Sequence, residues 1–189
     1  MGAIFQSLGR TVLAGFVLFA LLVLFVSGVS KAHLGIAIWL HVIAGVMWIG
    51  LLWYFNFVQI PSMPKIPDDQ KPAISKVIAP TALFWFRWAA LATVVTGIAV
   101  ALASGYLVPA LMLQAGLVAI GIGMWLAFLM AFNVWFIIWP NQKKALGIVV
   151  VEAAEKAKAA RMAMLTSRFN TMLSIPMLYC MVAQRYAGI

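Results

Sequence analysis

Charged side chains are scarce in this sequence, and acidic ones are the scarcest. Asp and Glu together number 4, and charged residues of both signs make up 9% of the chain. Soluble domains are about 25% charged, whereas 66% of the residues here are hydrophobic. A water-soluble globule would have to leave much of this apolar surface bare, so the composition excludes a soluble or disordered chain. It predicts an all-α protein whose solvent is a lipid bilayer.

Side chains that form disulfides or bind metals are also few. Cys180 is the only cysteine, so it has no disulfide partner within the chain. The histidines are His33 and His41, and together with a single cysteine they are too few to build a zinc site. A disulfide scaffold and a zinc module are therefore both excluded.

Long apolar stretches are what the sequence does contain. A stretch of about 20 apolar residues suffices to cross a bilayer, and five segments meet this length. We expect a single domain, residues 1–189, folded as a polytopic bundle of five transmembrane helices. The first span is interpreted as a retained anchor, because another apolar span follows it almost at once. The predicted spans are residues 11–29, 35–60, 81–104, 108–139 and 169–186.

Polar loops are predicted at residues 61–80 and 140–168. Within the second loop, residues 151–165 are rich in alanine and charge, which indicates a short surface helix. Pro140 is expected to end the fourth span, and Pro176 is expected to kink the fifth, because proline removes a backbone donor. The short segment 30–33 is expected to connect the first two spans.

The formal charge of +9 agrees with this topology, because Lys and Arg concentrate in cytoplasmic loops. Five spans place ten basic residues on one side and two on the other, with Arg87 inside a span. This places the N-terminus in the cytoplasm and the C-terminus outside a bacterial inner membrane, and it leaves no reason to expect nucleic-acid binding. The ten are Arg10, Lys65, Lys71, Lys76, Lys143, Lys144, Lys156, Lys158, Arg161 and Arg168, and the two are Lys31 and Arg185.

Polar side chains inside the predicted spans are functional candidates, because polar groups in lipid are costly. An inner group lies near the cytoplasmic face and consists of Asn56, Arg87, Asn133, Arg168 and Asn170. Two interpretations stay open. The group is structural, with Arg87 reaching the headgroups or held by Asn side chains and carbonyls, or it binds an anion or a quinone headgroup. No Asp or Glu lies in a span, so a carboxylate proton relay is not expected.

In the outer half, His41 is the notable residue. Gly45 and Trp48 follow four and seven residues later on the same helix face. This combination suits a b-type haem, with a nitrogen for the iron, a glycine that leaves room and an indole that packs on the macrocycle. A lone buried histidine can equally be a hydrogen-bonded core residue, and both interpretations stay open. Met181 is predicted as the second axial ligand, because it lies at a similar depth.

Four segments, residues 40–50, 84–88, 133–142 and 168–176, are similar to one known family. The first reads Leu-His-Val-Ile-Ala-Gly-Val-Met-Trp-Ile-Gly and contains His41. These segments resemble the membrane-bound urate hydroxylases, in their urate oxidase N-terminal membrane domain. The resemblance implies an inner-membrane oxidoreductase that passes electrons outward to a cytochrome c domain at its own C-terminus. It also carries His41 over as a haem ligand.

The printed sequence ends without a Cys-x-x-Cys-His motif, so we expect a short form that passes electrons to a separate periplasmic cytochrome c. An alternative function stays open. The chain could be a non-catalytic accessory subunit of a larger respiratory, photosynthetic or monooxygenase complex. Gly116, Gly121 and Gly123 in the fourth span would then allow close helix contacts.

Overall fold

The computed structural model describes residues 2–26 and 28–186, and no strand occurs within these ranges. Three π-helical segments, which we name π1 to π3, interrupt the α-helices. The α-helices are α1 Gly2–Phe5, α2 Leu8–Val26, α3 Gly28–Trp53, α4 Ile60–Ser62, α5 Lys71–Ala73, α6 Ala79–Ala103, α7 Leu107–Leu111, α8 Val118–Phe132, α9 Trp139–Ala145 and α10 Ala153–Tyr186. The π segments are π1 Tyr54–Gln59, π2 Ile74–Ile78 and π3 Asn133–Ile138.

Among the described residues, four helical stretches are long and apolar enough to cross a membrane. This confirms the prediction of a multi-pass helical membrane protein. The fifth predicted span lies in α10, which is not one of the four, because polar residues such as Asn170 and Ser174 lower its mean hydropathy. The four stretches are Leu8–Phe25, His33–Lys65, Lys71–Ala103 and Val118–Ala145.

Several predicted boundaries differ from the structure. The segment 30–33 is helical and belongs to α3 instead of forming a connection, and Ser27, inside the predicted first span, lies outside the described residues. The predicted loop 61–80 shrinks to residues 66–70, because helical turns occupy the rest. The predicted surface helix 151–165 is not separate, since α10 runs without interruption from Ala153 through Pro176.

The fourth span begins at Val118 instead of residue 108. The chain turns between α7 and α8, where Leu113 has a φ of 52° and Gly116 a φ of 81°. A left-handed backbone is easily adopted by glycine, so Gly116 shapes a turn and does not lie in a helix contact as expected. Gly121 and Gly123 do lie in α8 at close contacts.

Proline explains where the π segments occur. Pro61, Pro80 and Pro140 each lie at the start of the helix that follows π1, π2 or π3. A proline ring crowds the carbonyl four residues earlier and offers no N–H. In all three cases that carbonyl belongs to the π segment, where the wider turn relieves the crowding. The helices therefore continue past these prolines, and the prediction that Pro140 ends the span is wrong.

The core lies between α3, α6, α8 and α10. Trp48, Leu52 and Met130 are fully buried in it, together with Phe86. Because lipid is as apolar as the side chains, close packing has to hold such helices together. Gly121 shows how close the packing is, since a Cβ there would lie 2.1 Å from the carbonyl oxygen of Ala110.

Helix α10 packs antiparallel along α8 and α9 over their whole length. At one end, the Gln184 amide accepts a hydrogen bond from Ile120 N at 3.1 Å and donates one to the carbonyl of Gly116 at 2.6 Å. At the other end, Lys144 Nζ lies 2.5 Å from Glu155 Oε1. Polar side chains thereby connect both ends of α10 to neighbouring segments.

Helix α2 is peripheral. Phe19 stacks on Trp39 of α3 with ring centroids 3.8 Å apart, and Phe16 meets the same indole edge-on at 5.8 Å. No residue of Leu8–Phe25 is buried. This helix is therefore attached to the bundle mainly through one aromatic cluster.

Candidate functional site

Most of the predicted inner group is buried in the bundle, at the end where π1 and π3 lie. Asn56 donates through Nδ2 to the Leu52 carbonyl and to Ser167 Oγ, each at 2.8 Å. Asn133 and Asn170 form a second bridge, described below. These bonds tie α10 to π1 and to π3, so the amides serve as clamps between helices.

The second bridge is a short chain of hydrogen bonds. Asn133 Nδ2 donates to Asn170 Oδ1 at 2.8 Å, and Asn170 Nδ2 donates to the Met130 carbonyl at 2.9 Å. Asn170 has no exposed surface. The structural interpretation of the inner group therefore holds for this pair, whose polar atoms satisfy one another across the α8–α10 contact.

Arg87 is different, because it lies beside an aromatic ring instead of the asparagines. Only 9% of its surface is exposed, and its guanidinium carbon lies 3.4 Å from the centroid of the Trp139 ring. This is a stacked cation–π arrangement. Its Nη1 atom is buried without a hydrogen-bond partner in the part of the chain that the structure describes.

Arg168 does not join the buried group, since it is exposed on α10. Its neighbour Ser167 points inward and accepts a hydrogen bond from Asn56. Sequence reasoning also missed Trp139 and Gln142, which lie three residues apart at the end of a span. That helical spacing beside an intramembrane arginine was the available signal for them.

The second site is built on the contact between α3 and α6. His41 Nδ1 lies 2.9 Å from the Thr93 carbonyl and 3.3 Å from Thr96 Oγ1. Because a carbonyl only accepts, the ring donates through Nδ1, and the lone pair is on Nε2. The imidazole fills a notch at Gly97, where an added Cβ would lie 2.8 Å from His41 Cε1.

The predicted haem cradle fits this geometry only in part. The room expected beside Gly45 is taken by α6, since a Cβ there would lie 3.8 Å from Thr93 Cγ2. Trp48 is fully buried in the core and Met181 lies against Gly123 of α8, while His41 packs on α6. What does fit is the hydrogen bond from Nδ1 to a backbone carbonyl, which is typical of a histidine that binds metal through Nε2.

Other metal ligands are absent from this site. The described residues contain no group of three or more His, Cys, Asp and Glu side chains that could hold a metal ion.

The fold and these two sites define a class, a multi-pass helical membrane protein with polar groups buried at two depths. Residues 114–189 match the family model described as urate oxidase N-terminal. The resemblance to that family is thereby confirmed over the part of the chain that holds α8 and α10, and the chain is a membrane protein related to it. His41 and Arg87 lie outside the matched residues. No curated protein and no solved structure matches this chain.

Proposed function

We propose that this chain is a redox protein of the bacterial inner membrane that binds a b-type haem through Nε2 of His41. The observation that carries the proposal is the 2.9 Å hydrogen bond between His41 Nδ1 and the Thr93 carbonyl. It holds the ring in one tautomer and one orientation, with the lone pair on Nε2. When bound, a haem supplies one-electron transfer.

The other predicted haem residues take different roles in this proposal. Gly45 lies against Thr93 of α6, and Trp48 anchors α3 in the core, so in this proposal both position α3 without lining the cofactor. Met181 as second axial ligand stays a prediction. The oxidoreductase activity rests on the family resemblance, with electrons received from a substrate or a quinone.

Five crossings are part of the proposal. The antiparallel packing of α10 along α8 supports them, because a helix that accompanies a spanning helix over its whole length spans the bilayer as well. Within the predicted fifth span, Asn170 and Ser174 are buried in the bundle, which supports a crossing despite the lower hydropathy of α10. The N-terminus would then lie in the cytoplasm, and His41 would lie in the outer half, close to a separate periplasmic cytochrome c.

Absorption spectroscopy of the purified full chain tests this function. We expect a reduced-minus-oxidised spectrum with a b-haem band and a stoichiometric pyridine haemochrome. His41→Ala should lose both while the protein still elutes as a folded species in gel filtration. His33→Ala is the matched control, because His33 is exposed on the same helix and should leave the haem in place. Well-folded wild-type protein without haem would rule the function out.

One observation favours the accessory-subunit alternative. No residue of Leu8–Phe25 in α2 is buried, and on α3 an apolar groove is lined by Ile43, Val46, Met47, Gly50 and Leu51. Such lipid-facing apolar surface is also where a neighbouring membrane subunit would pack. Purification from native membranes in mild detergent separates the two functions. Stoichiometric partner chains with no cofactor in this chain would favour the accessory role.

A further inference from the structure

Arg87 has a buried positive charge without a negative partner. All 4 acidic residues of the chain, Asp68, Asp69, Glu152 and Glu155, lie outside the candidate spans. Asp68 pairs with Lys71, whose hydrogen bond lowers the pKa of that carboxyl, and Glu155 pairs with Lys144. Among the described residues, the Trp139 ring is thus the main group that compensates the guanidinium.

A second cation approaches the same ring. Lys143 Nζ lies 5.7 Å from the Trp139 ring centroid, so two positive charges share one indole. Bringing a second positive charge close to a buried one is unfavourable unless an anion joins them. Arg and Lys are also the side chains that proteins use most to bind phosphate. The charge pattern therefore favours an anion, and one with more than a single negative charge.

Unpaired amide oxygens lie in the same region. Within the described ranges, Gln142 Oε1, one turn beyond Trp139 on α9, is buried without a hydrogen-bond partner, and so are Asn56 Oδ1 and Gln59 Oε1 on π1. Phe55 and Phe86 pack at 5.7 Å, which places the residues after them, Asn56 and Arg87, at the same height. Asn56 and Arg87 are both more than nine-tenths buried. A ligand for this layer needs hydrogen-bond donors in addition to its charge, because amide oxygens only accept.

We infer that Arg87, Trp139, Gln142 and Lys143 form a binding site for a phosphate group that carries hydroxyl donors. The phosphate pairs with Arg87 Nη1 and Lys143 Nζ, and a hydroxyl donates to Gln142 Oε1. A phosphatidylglycerol headgroup and a free polyol phosphate share this chemistry. A quinone offers acceptors only, so it would leave the amide oxygens unpaired. The site is independent of the proposed haem at His41.

Thermal unfolding of the full chain in an uncharged detergent tests the site, with sn-glycerol 3-phosphate as probe. We expect a saturable rise in Tm, because a ligand that binds the native state stabilises it. Sulfate, which has a similar charge but no hydroxyl donors, should bind more weakly. In parallel, protein in phosphatidylglycerol nanodiscs should melt higher than protein in phosphatidylcholine nanodiscs. A response to the lipid alone identifies a headgroup as the ligand, and a response to the free probe identifies a solute; either supports the site.

Three variants connect the response to named side chains. Arg87→Gln should weaken the apparent affinity by about tenfold or more, the factor that corresponds to one lost charge-assisted contact. Lys143→Gln should weaken it less, and it tests the site even if Arg87→Gln does not fold, because Lys143 is only half-buried. Lys144→Gln is the matched control, since Lys144 pairs with Glu155 and should leave the response unchanged.

The outcomes against the proposal are equally definite. If neither glycerol 3-phosphate nor phosphatidylglycerol raises Tm, or if Lys143→Gln responds like the wild type, the site does not exist and Arg87 is purely structural. His41→Ala should keep the full response. Loss of haem with retention of the anion response, or the reverse, therefore distinguishes failure of this inference from failure of the proposed function.

Discussion

In the sequence, asparagine and arginine are both simply polar residues within apolar spans. In the structure, the surroundings of the buried amides and of the buried guanidinium differ. Asn133 and Asn170 hydrogen-bond to each other, and Asn170 also donates to a helix carbonyl, so these amides have their partners within the protein. Arg87 keeps a buried nitrogen without a partner. An unsatisfied buried donor costs about 1–3 kcal/mol, so it persists only where something compensates the cost. Residues of the second kind are the better functional candidates.

Asn170→Ala tests the structural role of the amide pair. The change removes the partner of Asn133 Nδ2 and one of the hydrogen bonds to the Met130 carbonyl, and we expect a loss of about 1–2 kcal/mol in the free energy of unfolding. Unfolding in detergent mixtures measures this. Asn141→Ala is the control, because its amide bonds only to the Ile137 carbonyl of the same helix, and it should lose much less. Equal losses in the two variants would contradict the clamp.

At the scale of elements, proline and glycine decide how the helices run. The three π segments let helices pass Pro61, Pro80 and Pro140, and each wider turn rotates the residues beyond it. This rotation is what brings Trp139 and Gln142 to their positions at the end of the bundle. Glycine acts by allowing close contact, since Gly121 has no Cβ that would keep α7 and α8 apart.

Gly121→Ala should therefore damage the α7–α8 contact. A Cβ at this position meets the Ala110 carbonyl oxygen at 2.1 Å, and backbone cannot move aside as a flexible side chain does. We expect a destabilisation of about 1–3 kcal/mol, typical of overpacking, measured by thermal unfolding. Gly50→Ala is the control, because nothing lies within 4 Å of its Cβ. That variant should be neutral or slightly stabilising, since alanine is the better helix former.

At the scale of the whole molecule, the topology decides which loops and which charged residues lie at each end of the bundle. The loops 66–70 and 146–152 lie at one end of the bundle, and the turn between α7 and α8 lies at the other. The basic residues Lys65, Lys71, Lys143 and Lys144 gather at the first end. In the proposed orientation this end faces the cytoplasm and would attract anions of that leaflet, which agrees with the inferred phosphate site there.

Accessibility of single cysteines tests the orientation. In a Cys180→Ser background, Gln114→Cys should react with an impermeant maleimide added to intact cells, because residue 114 lies in the turn before α8. Val150→Cys, at a residue that is 93% exposed in the opposite loop, should react only after lysis. A reporter fused to the C-terminus should be active outside the cytoplasm. Labelling of Val150→Cys in intact cells would reverse the orientation and remove His41 from the periplasmic side.

Composition and hydropathy by themselves determined the helical membrane class, the approximate spans and which polar residues lie within them. These are local properties, because a backbone in lipid has to bond within its own helix and each apolar stretch reports its own burial. The structure places the asparagines and Arg87 near one end of the bundle, and their depth in a membrane stays a prediction.

Only the tertiary structure decided which of these residues meet. How each helix is rotated decides these contacts. Thr93 fills the space beside Gly45, and Arg87 stacks on Trp139. Arg168 points outward while Ser167 points inward. Rotation is set by packing against neighbours and by π turns at proline, each of which shifts the register by about one residue. Such contacts join residues far apart in the chain, so no local pattern encodes them.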